Sequence, residues 1–451
     1  MMAMLSVAAE YANGNLVGAD RLFEGVSTDS RSIRTGELFV ALQGPNFDGT
    51  DYVSAAAQQG AAGAIVARRT ADDLAQITVD DTRAALGRLA AAWRHRQSAV
   101  VVGITGSNGK TTLKELTAAC LAEAAPTLAT EGNLNNDIGM PLMLTRINES
   151  HRYAVLEMGA NHAGEIAYLC GLAEPDVVAI TNAADVHLEG FGSVEGVARA
   201  KGEILQGRAR PGVAVLNADD DYFDYWRGLA ADLELLSFGF GESADVRASE
   251  VRASAEGSQF ILALPTENVE INLSLPGRHN VLNACAAAAI ATSLGIAPAR
   301  IQAGLEKVRP VRGRLQPMTG PGRATIYNDT YNANPPSVIA AAAFLASLPG
   351  RSCFVLGDMG ELGPDAEDLH EEVGAAIRNT GVDELYAIGE LSRHAVEAFG
   401  DNAAWFGGVD DLAAALIPTL DSNTSVLVKG SRFMRMERIV DAVMAAAGEG
   451  A

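Results

Sequence analysis

The run Val100-Val101-Val102-Gly103-Ile104-Thr105-Gly106-Ser107-Asn108-Gly109-Lys110-Thr111-Thr112 constrains this chain more than any other segment. An almost unbroken apolar stretch passes through a glycine-punctuated turn into a segment that opens on lysine and two threonines. A strand buried on both faces reads this way, so the segment implies a parallel sheet covered by helices on either side. Glycines in such a turn let backbone N–H groups face phosphate oxygens at a helix N-terminus. Lys110 can then reach the β and γ oxygens, and the Thr111 hydroxyl can ligate magnesium. The strict phosphate-loop pattern has glycine at the position held here by Ile104. A glycine-rich turn with a surface lysine is the alternative reading.

A chain of 451 residues exceeds what one hydrophobic core organises, and the pattern along it divides into three units. Short β-like runs at 37–42 and 64–67, with an Ala-rich helical segment at 52–60, make a small α/β unit; a helical stretch at 82–96 closes it near Gln97. The middle unit, 98–311, repeats strand, turn and helix, with strands at 100–105, 153–158, 177–181 and 213–217 and a helix at 284–293. The third, 312–451, shows strands at 324–328, 353–356, 384–388 and 425–428 alternating with helices. The expected fold is therefore α/β in three domains. They are a small N-terminal α/β domain (1–97), a central parallel-sheet phosphate-loop domain (98–311) and a C-terminal Rossmann-like domain (312–451).

An excess of acidic over basic side chains gives a net charge of −22, which argues against nucleic acid or an anionic membrane as partner. An anionic ligand then needs a local positive site, which bound magnesium and backbone N–H groups supply. Cys120, Cys170, Cys285 and Cys353 are scattered, without metal-knuckle or disulfide spacing, and fit a reducing cytosol. Neither a signal-peptide pattern nor a membrane-spanning apolar run is present, so a cytoplasmic protein is expected.

Three polar residues follow the central strands. Glu157 stands at the carboxyl end of strand 153–158, where ligands collect in parallel sheets, and suits magnesium; a helix-capping or surface glutamate is the alternative. His187, beyond strand 177–181, reads equally as a loop histidine. Lys201 in Ala198-Arg199-Ala200-Lys201-Gly202 reads by itself as a solvated helix lysine. Arg314, at the start of the third unit, can send a guanidinium toward a γ-phosphate, with a linker arginine as the alternative.

The sequence Thr-Gly-x-Asn-Gly-Lys-Thr-Thr at 105–112 resembles the phosphate loop of the Mur ligase and folylpolyglutamate synthetase superfamily, and the resemblance extends over almost the whole chain. It implies an ATP site built from Gly106, Ser107, Asn108, Gly109, Lys110, Thr111 and Thr112. Two magnesium ions are implied, with Thr111, Glu157, His187 and Lys201 as ligands, Lys201 carrying a carbamate. The segment 276–284 resembles the family's adenine-contacting stretch, where the Asn283 amide pairs with the base edge; helix capping by Asn280 is the alternative there. The stretch 327–335 resembles the nucleotide-facing loop, placing Asp329 near ribose with Tyr331 beside it. Catalysis would fall to Lys110, His187, Lys201 and Arg314.

At the front, 27–31 and 39–49 resemble a uridine-nucleotide site, which implies substrate contacts from Ser30, Arg31, Gly44, Asn46 and Asp48. A folate-polyglutamate enzyme lacks such an N-terminal domain. Segments 132–142, 356–363 and 428–432 resemble the branch of the family that adds D-alanyl-D-alanine, which implies Asn135, Asn136, Asp358 and Met359 as further substrate contacts. An Asp-Asn-Pro-Arg motif of the diaminopimelate-adding branch is absent from the third unit. The implied activity is ADP-forming ligation of D-alanyl-D-alanine to UDP-N-acetylmuramoyl-tripeptide through an acyl phosphate, by a monomer. Two rivals stay open: another amino-acid ligase of the superfamily, and a nucleotide-binding regulator that keeps the fold without catalysis.

Overall fold

A computed structural model describes residues 1–186, 188–207 and 211–448. The chain forms three α/β domains, each with its own sheet. In the first, the order is Asn15–Val17, Gln76–Thr78, Gly63–Val66, Glu37–Val40 and Gly25–Ser27. The last four run parallel and the first is antiparallel to its neighbour. Helix Thr82–Arg94 follows; the Asp81 carboxylate accepts from the N–H groups of Arg83 and Ala84 and caps its start.

The central sheet has nine strands in the order Thr127–Ala129, Tyr153–Glu157, Val100–Thr105, Val177–Ile180, Val213–Asn217, Glu234–Gly239, Val246–Ala253, Ser258–Ala263 and Asn268–Leu273. Strand Val100–Thr105 lies between two parallel neighbours, Ile104 opposite Glu157 and Thr105 opposite Ile180. Its helix, Lys110–Ala122, packs against helices Arg278–Ser293 and Pro298–Lys307. Eleven of the sixteen residues of Arg278–Ser293 are buried, and its many alanines let the neighbouring elements approach closely.

The central sheet is not wholly parallel, as the sequence pattern suggested. Strands from Val246 to Leu273 form an antiparallel meander at one edge. There Ser258–Ala263 alternates buried with more open positions, the pattern of a strand covered on one face only. In the third domain the order is Gln316–Thr319, Thr325–Asp329, Thr424–Lys429, Arg351–Gly357, Glu384–Ile388 and Ala403–Phe406. All pairs are parallel except the first. Among the described residues no helix is long and apolar enough to cross a membrane.

Candidate active site

Because strand Val100–Thr105 is central, its carboxyl end opens into the crevice where parallel sheets bind ligands. Two glycines in the following turn are required by close approach. Gly106 has φ +139°, and a Cβ there would stand 1.8 Å from Thr181 Oγ1; Gly109 has φ +83°, and a Cβ would lie 2.6 Å from Asn283 Oδ1. The loop is fixed from the next strand: Asn108 N–H donates to Asn182 Oδ1 (3.0 Å), and the Thr181 hydroxyl donates to Asn108 O (2.6 Å). Lys110 Nζ folds back onto Gly106 O (2.6 Å) and Ser107 O (3.0 Å). Burial lowers its pKa, the Glu157 carboxylate pulls it up and the Arg314 charge pushes it down.

Glu157 is no surface glutamate: it is 3% exposed. Its Oε2 accepts from Thr111 Oγ1 (2.9 Å) and its Oε1 from Asn135 Nδ2 (2.8 Å), while its own N–H donates to Thr130 Oγ1 (2.9 Å). The carboxylate is thus pinned at the mouth of the phosphate loop. Lys201 is likewise no solvated helix lysine. It is 1% exposed on helix Val194–Gly202, with Nζ 5.1 Å from the centre of the Phe191 ring. Burial first, and the charge of Lys110 second, bring its pKa down to about 7 against the pull of Glu203 and Glu165. His187 lies outside the described residues. Among the described residues, no three His, Cys, Asp or Glu side chains converge as a ready-made metal cage. Magnesium often takes only one or two carboxylates together with substrate phosphates, so Glu157 and Thr111 suit it as hard oxygen donors.

The third domain reaches this loop from the opposite side. Arg314 Nη2 donates to Thr111 Oγ1 (3.2 Å), and its guanidinium lies 4.1 Å from the centre of the Tyr331 ring. Asn334 caps helix Pro335–Ala346 by accepting from Ser337 N–H, and its Nδ2 donates to Asn108 Oδ1 (2.7 Å). Asp329 accepts from Lys429 Nζ (2.6 Å) and Leu315 N–H (3.0 Å). Between the two domains a cavity of about 350 Å³ is lined by Asn108, Gly109, Thr112, Asn283, Arg314 and Asp329 among others. A larger cleft, about 1200 Å³, holds Ser107, Lys110, Thr111, Asn135, Asn136, Glu157 and Tyr331. Asn108, Gly109 and Arg314 line both.

Several expected residues sit elsewhere. Asp358 and Met359 are buried behind the cleft: the Asp358 carboxylate accepts from Ser392 N–H and Oγ, and Met359 belongs to the third domain's core. The wall there consists of Gly360, Glu361 and Leu362, because the chain turns outward only after its buried anchors. Asn280 is not the cap of helix Arg278–Ser293, a place taken by Gly277 with φ +92°; its Nδ2 donates to Pro276 O inside the first turn. Ser30, Arg31, Gly44, Asn46 and Asp48 follow the carboxyl ends of strands Gly25–Ser27 and Glu37–Val40, at one edge of the first sheet. Arg31 pairs with Asp29 and Asp48 with Arg68. The first domain meets the large cleft through Asp81, Arg83 and Ala84. Arg83 carried no motif in the sequence, whereas Asn334 lay within the segment 327–335 and Lys429 within 428–432, each without a role of its own.

Family models match in series along the chain: the Mur ligase family catalytic domain over residues 22–94, the Mur ligase middle domain over 104–291, and the Mur ligase glutamate ligase domain over 313–432. The chain belongs to the Mur ligase family. Its phosphate loop is that of the middle domain, and Arg314, Asp329 and Asn334 come from the glutamate ligase domain. Among relatives of this Mur ligase, the UDP-N-acetylmuramoyl-tripeptide--D-alanyl-D-alanine ligase of Escherichia coli is 42% identical, over 97% of this chain and 98% of its own. The crystal structure of MurF from Acinetobacter baumannii superposes with a TM-score of 0.93 at 36% identity, covering 99% of both chains. MurF from Thermotoga maritima in complex with ADP gives 0.84 at 28% identity, covering 95% of this chain and 99% of that one.

Proposed function

We propose that this Mur ligase joins D-alanyl-D-alanine to the terminal carboxylate of UDP-N-acetylmuramoyl-tripeptide with conversion of ATP to ADP, in the cytoplasm and as a monomer. One observation carries the reading: the cavity beside the phosphate loop and the large cleft that holds Lys110 and Glu157 share Asn108, Gly109 and Arg314 as lining. The phosphate end of a nucleotide in the smaller cavity would therefore meet a second substrate in the larger one. The identity of that substrate is supported by the near full-length likeness to the Escherichia coli ligase named above. The three units would be 1–97, 98–311 and 312–451, with the uridine nucleotide held by the first through Ser30, Arg31, Gly44, Asn46 and Asp48.

In the reaction the substrate carboxylate takes the γ-phosphoryl group and ADP leaves; the dipeptide amine then attacks the acyl carbon and phosphate departs. Lys110 and Arg314 place cationic groups where charge develops on the transferring phosphoryl group. Asn283 and Asp329 line the cavity that would take adenine and ribose. Magnesium, held by Thr111, Glu157 and His187, would neutralise phosphate charge. A lysine with a pKa near 7 is largely neutral at slightly alkaline pH, and its amine can add to CO2 with loss of one proton. Lys201 would thereby become a carbamate with oxygen donors for a second ion. Asn135 and Asn136 would stand on the substrate side, although Asn136 Oδ1 already accepts from Gly139 N–H at a helix start (2.8 Å).

The experiment supplies UDP-N-acetylmuramoyl-tripeptide and ATP with D-alanine, L-lysine, diaminopimelate, glutamate or D-alanyl-D-alanine and follows phosphate release. The dipeptide should turn over fastest, since a site built for its amide and distant carboxylate leaves polar groups unpaired around a single residue. Faster turnover with a single amino acid at equal concentration defeats the assignment.

A further inference from the structure

We infer that His370 is a positioning residue for the acceptor side of the cleft, fixing the wall at 360–362 through the backbone N–H of Met359; the acceptor half of this statement rests on the function proposed above. His370 is fully buried on helix Ala366–Thr380 and lines neither cavity. Its Nε2 accepts from Met359 N–H at 2.9 Å, and its Nδ1 stands 2.6 Å from Ala366 O. A carbonyl oxygen can only accept and a backbone N–H can only donate. Both contacts together therefore require the neutral ring with its proton on Nδ1.

The neighbouring anchors show what this bond completes. Asp358 O accepts from Ser431 N–H (3.0 Å), and Gly360 N–H donates to Ser431 Oγ (2.9 Å), which in turn donates to Ala333 O (3.1 Å). Met359 N–H lies between these two tethers, and His370 is its partner. Beyond them the chain takes a left-handed turn at Glu361 (φ +62°) and enters the cleft wall with Leu362. A left-handed non-glycine residue persists only where its surroundings over-determine it. Without His370, Met359 N–H would be buried without a partner, and the wall would relax.

The charged groups near the ring are Asp358, which favours protonation, and His394, which opposes it and stands 3.9 Å from Glu367. Burial dominates and holds the imidazole below its ordinary pKa. Protonation at low pH would set Nε2–H against Met359 N–H, donor against donor.

The test measures kcat and the KM values of ATP and acceptor for wild type, His370→Leu and His370→Gln, using whichever acceptor of the panel supports wild-type turnover. A wrong acceptor assignment then shows in the wild type, and a wrong role for His370 shows only in the variants. His370→Leu should raise the acceptor KM about tenfold, the loss of one buried hydrogen bond, with ATP KM moved less than about twofold. His370→Gln, whose Oε1 can accept from Met359 N–H, should recover most of that loss. Because burial holds this ring below its ordinary pKa, the acceptor KM should rise more in wild type than in His370→Gln as pH falls from about 6.5, the ordinary imidazole value, to about 5. Equal rises of both KM values in His370→Leu, or identical pH profiles for wild type and His370→Gln, would overturn the inference. The second comparison stands even if His370→Leu does not fold.

Discussion

The central domain meets its two neighbours by opposite means. Toward the first domain the join is apolar. Leu142, on central helix Gly139–Arg146, sits in one core with Leu5, Leu38, Leu86 and Leu89 of the first domain. Ala90 of the first domain is buried in return among Met143, Leu144 and Leu169. Trp93 Nε1 donating to Ile147 O and Arg94 Nε donating to Ala173 O close the edges. Toward the third domain the contacts near the phosphate loop are polar: Arg314 to Thr111, and Asn334 to Asn108, across two cavities. A shared core cannot open without exposing apolar surface, whereas hydrogen bonds exchange readily for bonds to water or ligand. The first two domains should therefore move as one body, with the third as the part that nucleotide can draw in.

The strongest test of the polar seam is Lys110→Ala. Among the described residues the side chain's hydrogen bonds go to loop carbonyls, and it belongs to neither core of the central domain, so the variant should melt like wild type. Turnover should fall by at least about a thousandfold if this cation is aimed at the transferring phosphoryl group. ADP release from a folded Lys110→Ala protein at near the normal rate would contradict that placement.

Leu142→Ala strikes the apolar join instead. Removing a buried leucine shared by two domains should cost about 2–5 kcal/mol of stability, read as a lower urea midpoint. Arg314→Ala should shift that midpoint by less than about 1 kcal/mol, as for a half-exposed polar contact, while lowering turnover far more. If the two variants exchange these signatures, the contrast between the interfaces is wrong.

This contrast was only partly legible in the sequence. Strand Val100–Thr105 and the helix start at Lys110 stand where the pattern put them, because unbroken apolar runs and glycine turns are local signals. The antiparallel edge from Val246 to Leu273 was missed: two of its strands, Val246–Ala253 and Asn268–Leu273, carry Arg, Glu and Asn on open positions, and the one apolar run between them, Phe260 to Leu264, does not by itself tell strand from buried helix. The contact of Asn334 with Asn108 joins residues 226 positions apart, and no local pattern encodes it. Burial of Lys201 was equally invisible, since the lysine is enclosed by tertiary packing and not by its own helix. Asp358 and Met359 misled because a motif marks a segment without saying which of its side chains turn inward.

Lys201 tests the ground between the two interfaces, inside the central domain but within electrostatic reach of Lys110. Its folded-state pKa of about 7 lies well below the ordinary lysine value of about 10.4. Between these pH values the unfolded chain binds the extra proton, so in CO2-free buffer stability should rise with pH across that window; the penalty is full below about 7. Lys201→Met should flatten this rise in urea midpoints between about pH 7 and about pH 9. Uptake of labelled CO2 needs the neutral amine, so a carbamate carbon resonance should be stronger at about pH 8 than at about pH 6 and absent from Lys201→Met. A resonance that survives in the variant assigns the carbamate to another amine.

The smallest expected effect isolates the polar seam most cleanly. Asn334 serves two ends: its Oδ1 caps helix Pro335–Ala346 at Ser337 N–H, and its Nδ2 holds Asn108 in the phosphate loop. Serine is as good a helix cap as asparagine, so Asn334→Ser should keep the helix, but its shorter side chain has no amide to extend toward Asn108. Stability should then stay within about 0.5 kcal/mol of wild type. The KM for ATP should rise about fivefold, the order of one part-buried hydrogen bond, as domain closure loses one of its tethers. Alanine at the same position removes cap and tether together and should lower stability by about 1 kcal/mol as well. If Asn334→Ser matches alanine in stability, the cap has been lost too and the seam is not being read. If it keeps both stability and the wild-type KM for ATP, the bond to Asn108 plays no part in closing the third domain over the nucleotide.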